Sequence, residues 1–175
     1  MKYNVCGPFE VPRGATGLID MSREPKKAFW KDVERRSEGL SGACGCYIFG
    51  IKSGRGLLPQ YVGRTRGNTF KGECFTPHKL NHYNAAVTAS SGRPMIFFLP
   101  KVTPGGAFAR ISTNGHRDID FLESYLIGVA LERNANLLNK KDTKFLREME
   151  VRGILNDSRG RPTNSAMALR SAMGL

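Results

Sequence analysis

Two tyrosines in neighbouring glycine-containing triplets are the residues of this chain best placed to do chemistry. The first triplet is Gly45-Cys46-Tyr47, and the second is Tyr61-Val62-Gly63, followed directly by Arg64. If the two segments form an antiparallel hairpin, Tyr47 comes opposite the Gly63–Arg64 step. A glycine there would let a backbone or a phosphate approach closely. A tyrosine in a strand is more often part of a core, so the hairpin by itself leaves both interpretations open.

Glu123 is an acidic residue on the apolar side of a predicted helix. At about 100° per residue it falls inside the arc that contains Ile119, Leu122 and Ile127. A carboxylate turned towards a core must be paired, protonated or bound to a metal, because unpaired burial is costly. The position therefore predicts either a structural ion pair with a basic residue or a metal ligand.

The elements that must position these residues follow from apolar periodicity and from glycine and proline breaks. On strand Cys46–Ile51, alternation predicts that Tyr47, Phe49 and Ile51 share one face and Cys46, Ile48 and Gly50 the other. The remaining predicted elements are a helix over 25–37, a return strand over 60–63, helical residues over 69–88 interrupted at Thr76-Pro77, a strand over 95–99, an edge strand over 108–111, a helix over 118–134, a strand over 151–155 and a last helix from 165.

This order predicts an α/β fold of the α+β kind, with a small three-stranded antiparallel sheet flanked by helices. Residues 1–40 are expected to form an N-terminal extension with one helix, irregular over 1–23. Residues 41–142 are the predicted catalytic domain. Residues 143–175 are expected to form a C-terminal extension packed on the same domain.

The charge balance of the chain predicts a polyanionic partner. The 175 residues contain 27 Lys and Arg against 15 Asp and Glu, which gives a net charge of +12. A surplus of this size favours nucleic acid, with DNA preferred to RNA as the expected partner. A solubilising role of the charge remains the alternative.

The remaining composition predicts a cytoplasmic protein that does not enter a membrane. No apolar run approaches the ~20 residues that span a bilayer, and the first residues lack the apolar block of a signal peptide. The four cysteines are then expected to be thiols. Cys44-Gly45-Cys46 is too tight for the usual zinc-knuckle spacing, so the cysteines are predicted to be small buried hydrophobes.

The ordered set of motifs resembles the GIY-YIG endonuclease superfamily, as a divergent member. The likeness covers about residues 41–140 and consists of Gly-Cys-Tyr, Tyr-Val-Gly-Arg, a helix with basic and histidine residues, Leu122-Glu123-Ser124-Tyr125 and Leu137-Leu138-Asn139. Each triplet is weak by itself, and Cys46 and Val62 are substitutions at variable middle positions. The order of strand, turn, strand, helix, strand and Glu-bearing helix is more specific.

The resemblance implies hydrolysis of nucleic-acid phosphodiester bonds with one divalent ion, Mg²⁺ or Mn²⁺. Tyr47 would be the general base or would position the attacking water, and Tyr61 would be the second tyrosine of the site. Glu123 would hold the metal, since a hard oxygen ligand suits Mg²⁺. Arg64 would bind phosphate through two parallel hydrogen bonds.

One basic position departs from the family pattern. Lys71 stands where family members usually carry an arginine, and lysine can neutralise a phosphate but lacks the planar fork of a guanidinium. Arg66 could reach in from the turn instead. This departure is compatible with a divergent active nuclease and with a degenerate fold that only binds nucleic acid.

The helix after the second triplet carries further candidates. His78 could replace a helix histidine or tyrosine that assists some family members, and its alternative is a surface residue at a helix N-terminus. Lys79 and His82 follow on the same helix, and Lys79 is an expected nucleic-acid contact. Asn139 would match the terminal asparagine of the family, with Asn134 and Asn136 as alternatives.

The leading hypothesis is therefore a metal-dependent endonuclease that acts on nucleic acid, with DNA the expected substrate. The second hypothesis is a catalytically degenerate nucleic-acid-binding module. A third and weaker one is a small-molecule or protein-interaction domain whose basic charge serves solubility.

Overall fold

The computed structural model describes residues 1–54, 56–65, 67–112, 116–139, 143, 148–154 and 160–174. The chain divides into two compact units, Met1–Asn139 and Lys140–Leu175. The first unit contains the sheet and its flanking helices, which confirms the mixed α and β composition. Arg66, an expected phosphate contact, lies outside the described residues.

The helices and strands of the described residues closely follow the predicted elements in the region of the two triplets. In chain order they are β1 Lys2–Tyr3, β2 Cys6–Glu10, α1 Arg23–Arg36, β3 Gly45–Ser53, β4 Gly56–Arg64, α2 Phe70–Glu73, α3 Pro77–Ala89, β5 Arg93–Val102, α4 Arg117–Arg133 and α5 Asn164–Met173. The predicted break at Thr76-Pro77 is confirmed, because Thr76 precedes α3 and Pro77 occupies its first turn. Among the described residues, no helix is long and apolar enough to cross a membrane.

The sheet is antiparallel, and within the described residues it has five strands rather than the predicted three. Its order is β1-β5-β3-β4, with β2 also paired to β5. The two additional strands come from residues 1–23, for which the prediction of an irregular segment was wrong. Gly7-Pro8 predicts a break in a regular strand, but it lies at a register shift between Cys6 and Phe9, where the β2–β5 ladder tolerates a proline.

Two other predicted strands are absent from the described residues. The edge strand over 108–111 reduces to a single bridge between Phe108 and Val102. In the second unit only Val151 is a bridge residue, and residues 152–154 form a turn in which the Ile154 N–H donates to the Val151 carbonyl at 2.8 Å. The following helix α5 is capped by Thr163, whose Oγ1 accepts from the Ala166 N–H at 3.2 Å.

The two faces of β3 pack against different helices, as the alternation predicted. Tyr47, Phe49 and Ile51 enter a large core that also contains Phe29 and Trp30 of α1, Phe70 of α2 and Tyr83 of α3. We call this the aromatic face. Cys46 points the other way, into a smaller cluster with Ile119 of α4. We call this the α4 face.

The cysteines are free thiols, and three of them are buried, at positions 44, 46 and 74. Cys74 packs in the core of the aromatic face, and Cys44 and Cys46 pack in the cluster of the α4 face. This confirms the prediction that they serve as small apolar residues of the interior.

The register of the hairpin explains the glycine of the second triplet. Tyr47 pairs with Gly63, as predicted, and Cys46 pairs with Arg64. A Cβ atom built on Gly63 would overlap the ring of Tyr47. The missing side chain therefore makes room for a buried phenol, and not for an approaching phosphate as the sequence suggested.

Gly63→Ala should consequently destabilise the fold by about 1–3 kcal/mol, because the fully buried Tyr47 ring has no free space into which to move. The measurement is urea unfolding followed by circular dichroism. Gly128→Ala is the matched control: a Cβ there meets nothing within 4 Å, so α4 should gain up to about 1 kcal/mol. Equal stability of the two variants would contradict this packing account.

Candidate functional site

The Tyr61 hydroxyl is the centre of a polar cluster on the aromatic face of the sheet. The Lys79 Nζ donates to the Tyr61 Oη at 2.7 Å and lies 5.0 Å from the centre of the tyrosine ring. The His82 ring stacks on Tyr61 with centroids 5.2 Å apart and planes 17° apart. Lys79 and His82 are three residues apart on α3, so one helix face presents both to the strand.

Two further side chains extend this cluster towards solvent. The Nε2 atoms of His78 and His82 are 3.3 Å apart, and the Glu73 carboxylate lies 3.9 Å from the Lys79 ammonium. His78 is exposed, and Lys79 and His82 are half-buried. We call these five residues, Tyr61, Glu73, His78, Lys79 and His82, the Tyr61 cluster.

The Tyr61 cluster combines groups that bind phosphate with groups that transfer protons. Lys79 donates to the phenol oxygen of Tyr61, and the phenol can in turn donate its own O–H to an incoming acceptor. The ammonium supplies positive charge beside that acceptor. Imidazole side chains are common general acids and bases in catalysis.

Tyr47 lies close to this cluster but is closed off from solvent. Its ring centroid is 6.4 Å from that of Tyr61, and its side chain is fully buried. Burial raises the pKa of Tyr47 well above that of a free phenol, and nearby Tyr83 and Cys74 add to the effect. Its hydroxyl has no hydrogen-bond partner within the described part of the chain. A neutral phenol in this position gives the predicted general-base role no support.

Arg64 and Glu123 meet on the α4 face. The Arg64 Nη1 donates to the Glu123 Oε2, and the Arg64 Nε lies 3.1 Å from the Asp120 Oδ1. The Arg64 and Glu123 side chains are only 17% and 15% exposed. The prediction that Glu123 turns inward is thus supported. Of the two roles that the sequence left open for it, an ion pair or a metal ligand, the structure shows the ion pair with Arg64.

The sheet separates Glu123 from both tyrosines. Directly paired residues share a face, so Arg64 lies on the same side as Cys46, against α4, while Tyr61 lies on the same side as Phe49, against α3. The site expected from the resemblance, with a metal ion held by Glu123 beside two phenols, is therefore not the arrangement of the described residues.

A divalent ion at Glu123 would compete with an existing ion pair. Glu123 and Asp120 share the single cation of Arg64, and the described residues contain no group of three His, Cys, Asp or Glu side chains able to hold a metal. In this structure the carboxylate expected to bind the ion is thus engaged by a guanidinium.

Two other predicted site residues lie away from the Tyr61 cluster. Lys71 lines a groove beside α1 together with Trp30 and Lys31. Asn139 is buried and holds β4: its Oδ1 accepts from the Val62 N–H at 2.8 Å, and its Nδ2 donates to the Val62 carbonyl at 2.7 Å. Asn134, one of its alternatives, donates to the Pro59 carbonyl at 2.7 Å.

His82 and Asp120 are site residues to which the sequence analysis gave no role. The spacing of His78, Lys79 and His82 carried a usable signal, because residues separated by three or four positions share a helix face. Asp120 stands one turn before Glu123 and could have been recognised as its neighbour by the same rule.

Comparisons of the chain with protein-family models, with curated proteins and with solved structures found no match.

The ion pair on the α4 face should contribute to stability. We expect Arg64→Met to cost about 1–3 kcal/mol, because it leaves two half-buried carboxylates without their shared cation. In a double-mutant cycle with Glu123→Gln the coupling should be at least about 0.5 kcal/mol. The measurement is chemical unfolding, and the exposed Arg133→Met is the control. A cost for Arg64→Met no larger than that of the control would refute the assignment.

Proposed function

We propose that the chain is an endonuclease that hydrolyses nucleic-acid phosphodiester bonds at the Tyr61 cluster, with DNA the expected substrate. The observation that carries the proposal is the 2.7 Å contact between the Lys79 ammonium and the Tyr61 hydroxyl. The stacked His82 and the exposed His78 supply proton-transfer groups at the same place. The net charge of +12 and the resemblance to GIY-YIG endonucleases support nucleic acid as the substrate.

In this proposal Lys79 and Tyr61 bind a non-bridging oxygen of the scissile phosphate. Tyr61 donates a hydrogen bond through its hydroxyl, and Lys79 offsets the negative charge that grows on the phosphoryl oxygens. A water molecule attacks phosphorus and gives its proton to an imidazole of the His78–His82 pair. The bond to the leaving oxygen breaks, and that oxygen receives a proton from the pair or from solvent.

The divalent ion that the resemblance implies has no part in these steps. Glu123 is paired with Arg64 on the opposite face of the sheet, and nothing in the Tyr61 cluster is assigned as its ligand. The cleavage assay described below therefore measures the effect of added Mg²⁺ or Mn²⁺ separately.

A second candidate function is a nucleic-acid-binding module without hydrolytic activity. It is favoured by the Arg64–Glu123 ion pair and by the burial of Tyr47. Both give structural roles to side chains that were expected to be catalytic. This module would bind DNA with the same dependence on salt but would leave its strands intact.

The test is a cleavage assay on single-stranded DNA, duplex DNA and RNA, each with Mg²⁺, with Mn²⁺ and with a chelator. Lys79→Met and Tyr61→Phe should each lower the cleavage rate by at least ~10²-fold, because each removes a group that contacts the phosphate or its charge. Lys52→Met is the matched control, since Lys52 is exposed at the end of β3. It should cleave at the wild-type rate.

Two outcomes would change the conclusion. Binding without scission of any substrate would establish the module without activity. Normal cleavage by Lys79→Met and Tyr61→Phe, combined with loss of cleavage in Glu123→Gln, would move the catalytic centre to the α4 face.

A further inference from the structure

A groove beside α1 is lined mainly by cationic side chains. It has a volume of about 450 Å³, and its lining includes Arg23, Lys26, Lys27, Lys31 and Lys71. Trp30, Glu34 and Ser41 complete the lining. We call it the α1 groove.

The helix arranges three of these cations in one row. Arg23, Lys27 and Lys31 are spaced by four residues, so they lie on one side of α1 with a rise of about 6 Å between neighbours. Lys71, which follows Phe70 at the start of α2, adds a cation from a separate element. The groove is therefore charged from two sides along its length.

These cations form no salt bridges among the described residues, whereas Arg35 and Arg36 on the same helix both pair with Asp32. Glu34 is the acidic residue of the lining, and its carboxylate oxygens accept from the Gly39 and Ser41 N–H groups at 2.7 Å. Burial opposes the ionisation of Glu34, but hydrogen bonds from Ser41 and Gly39 and the charge of Lys71 lower its pKa. That carboxylate holds the turn after α1.

Trp30 belongs to the groove lining but is only 4% exposed, because its ring packs against Phe29 and Phe75 in the core. It offers a ligand little contact, so the cations are the groups that the groove presents.

We propose that the α1 groove is a second binding surface for the phosphates of nucleic acid, separate from the Tyr61 cluster. The choice of nucleic acid as the polyanion rests on the proposed function. A row of unpaired cations binds consecutive phosphates without reading sequence. A membrane surface fits less well, because the one aromatic side chain of the lining is buried and cannot insert between lipids. Lys71 keeps its expected role as a nucleic-acid contact, at this surface and not at the reacting bond.

The test compares two triple variants that lose the same charge. The groove variant is Lys27→Gln, Lys31→Gln and Lys71→Gln, and the control variant is Lys52→Gln, Arg117→Gln and Arg133→Gln, all at exposed positions. Affinity for duplex DNA is measured over a range of salt concentrations, with circular dichroism to confirm folding. In a plot of log K against log salt, the slope of the groove variant should be shallower than wild type by about 2–3, and that of the control by less than about 1.

A chemical footprint gives a second readout that does not depend on any substitution. Lysines of the wild-type protein are acetylated with and without duplex DNA, and the modified sites are identified by mass spectrometry. We expect DNA to protect Lys26, Lys27, Lys31 and Lys71 and to leave Lys52 reactive.

The proposal is overturned if the two triple variants show the same salt slope, if DNA leaves the groove lysines reactive, or if phosphatidylserine vesicles bind more tightly than duplex DNA. If only the groove proposal is wrong, the groove variant binds DNA like the control variant while the Tyr61 cluster still cleaves. If only the proposed function is wrong, Tyr61→Phe cleaves normally while the groove variant loses affinity for DNA. Absence of nucleic-acid binding by the wild type would overturn both.

Discussion

The register between β3 and β4 is the constraint on which the rest of the structure depends. It places Tyr47 against Gly63 and Cys46 against Arg64. A slip of β4 by one residue would turn Tyr61 out of the aromatic face and turn Arg64 into it. The space over Gly63 enforces this register, because only a residue without a side chain accommodates the Tyr47 ring. Both the aromatic core and the Arg64 ion pair follow from that single fit.

The same register divides the polar chemistry of the molecule between two faces. Tyr61 and Arg64 are three residues apart on one strand, and a strand directs such residues to opposite sides. Tyr61 thus meets Lys79 and His82 of α3, while Arg64 meets Asp120 and Glu123 of α4. Because Tyr61 and Arg64 are close in sequence, a single site was expected. The alternation of side chains along the strand places them in two separate clusters. Tyr61 is buried and Lys79 is as enclosed as Arg64 and Glu123, and the Tyr61 cluster reaches solvent at the exposed His78.

The sequence was sufficient for the central elements and insufficient for the contacts between them. Strong periodicity and clear breaks located β3, β4, β5, α3 and α4. The strands β1 and β2 were missed because Gly7-Pro8 breaks a regular strand, and only the partner β5 shows that a bulge absorbs it. The inward direction of Glu123 followed from helix geometry, but its partner did not. The contact between Lys79 and Tyr61 depends on how α3 lies across the sheet, which no local pattern determines.

The segment over 134–139 has a further consequence for how copies of this chain behave together. Along the outer side of β4, the Pro59 carbonyl is bound by Asn134, the Gln60 carbonyl by the Leu138 N–H, and both backbone groups of Val62 by Asn139. A bare border strand would recruit strands from neighbouring molecules. Here side-chain amides and one loop amide cover β4 at Pro59, Gln60 and Val62, so these backbone groups are not available for pairing with a strand of another copy.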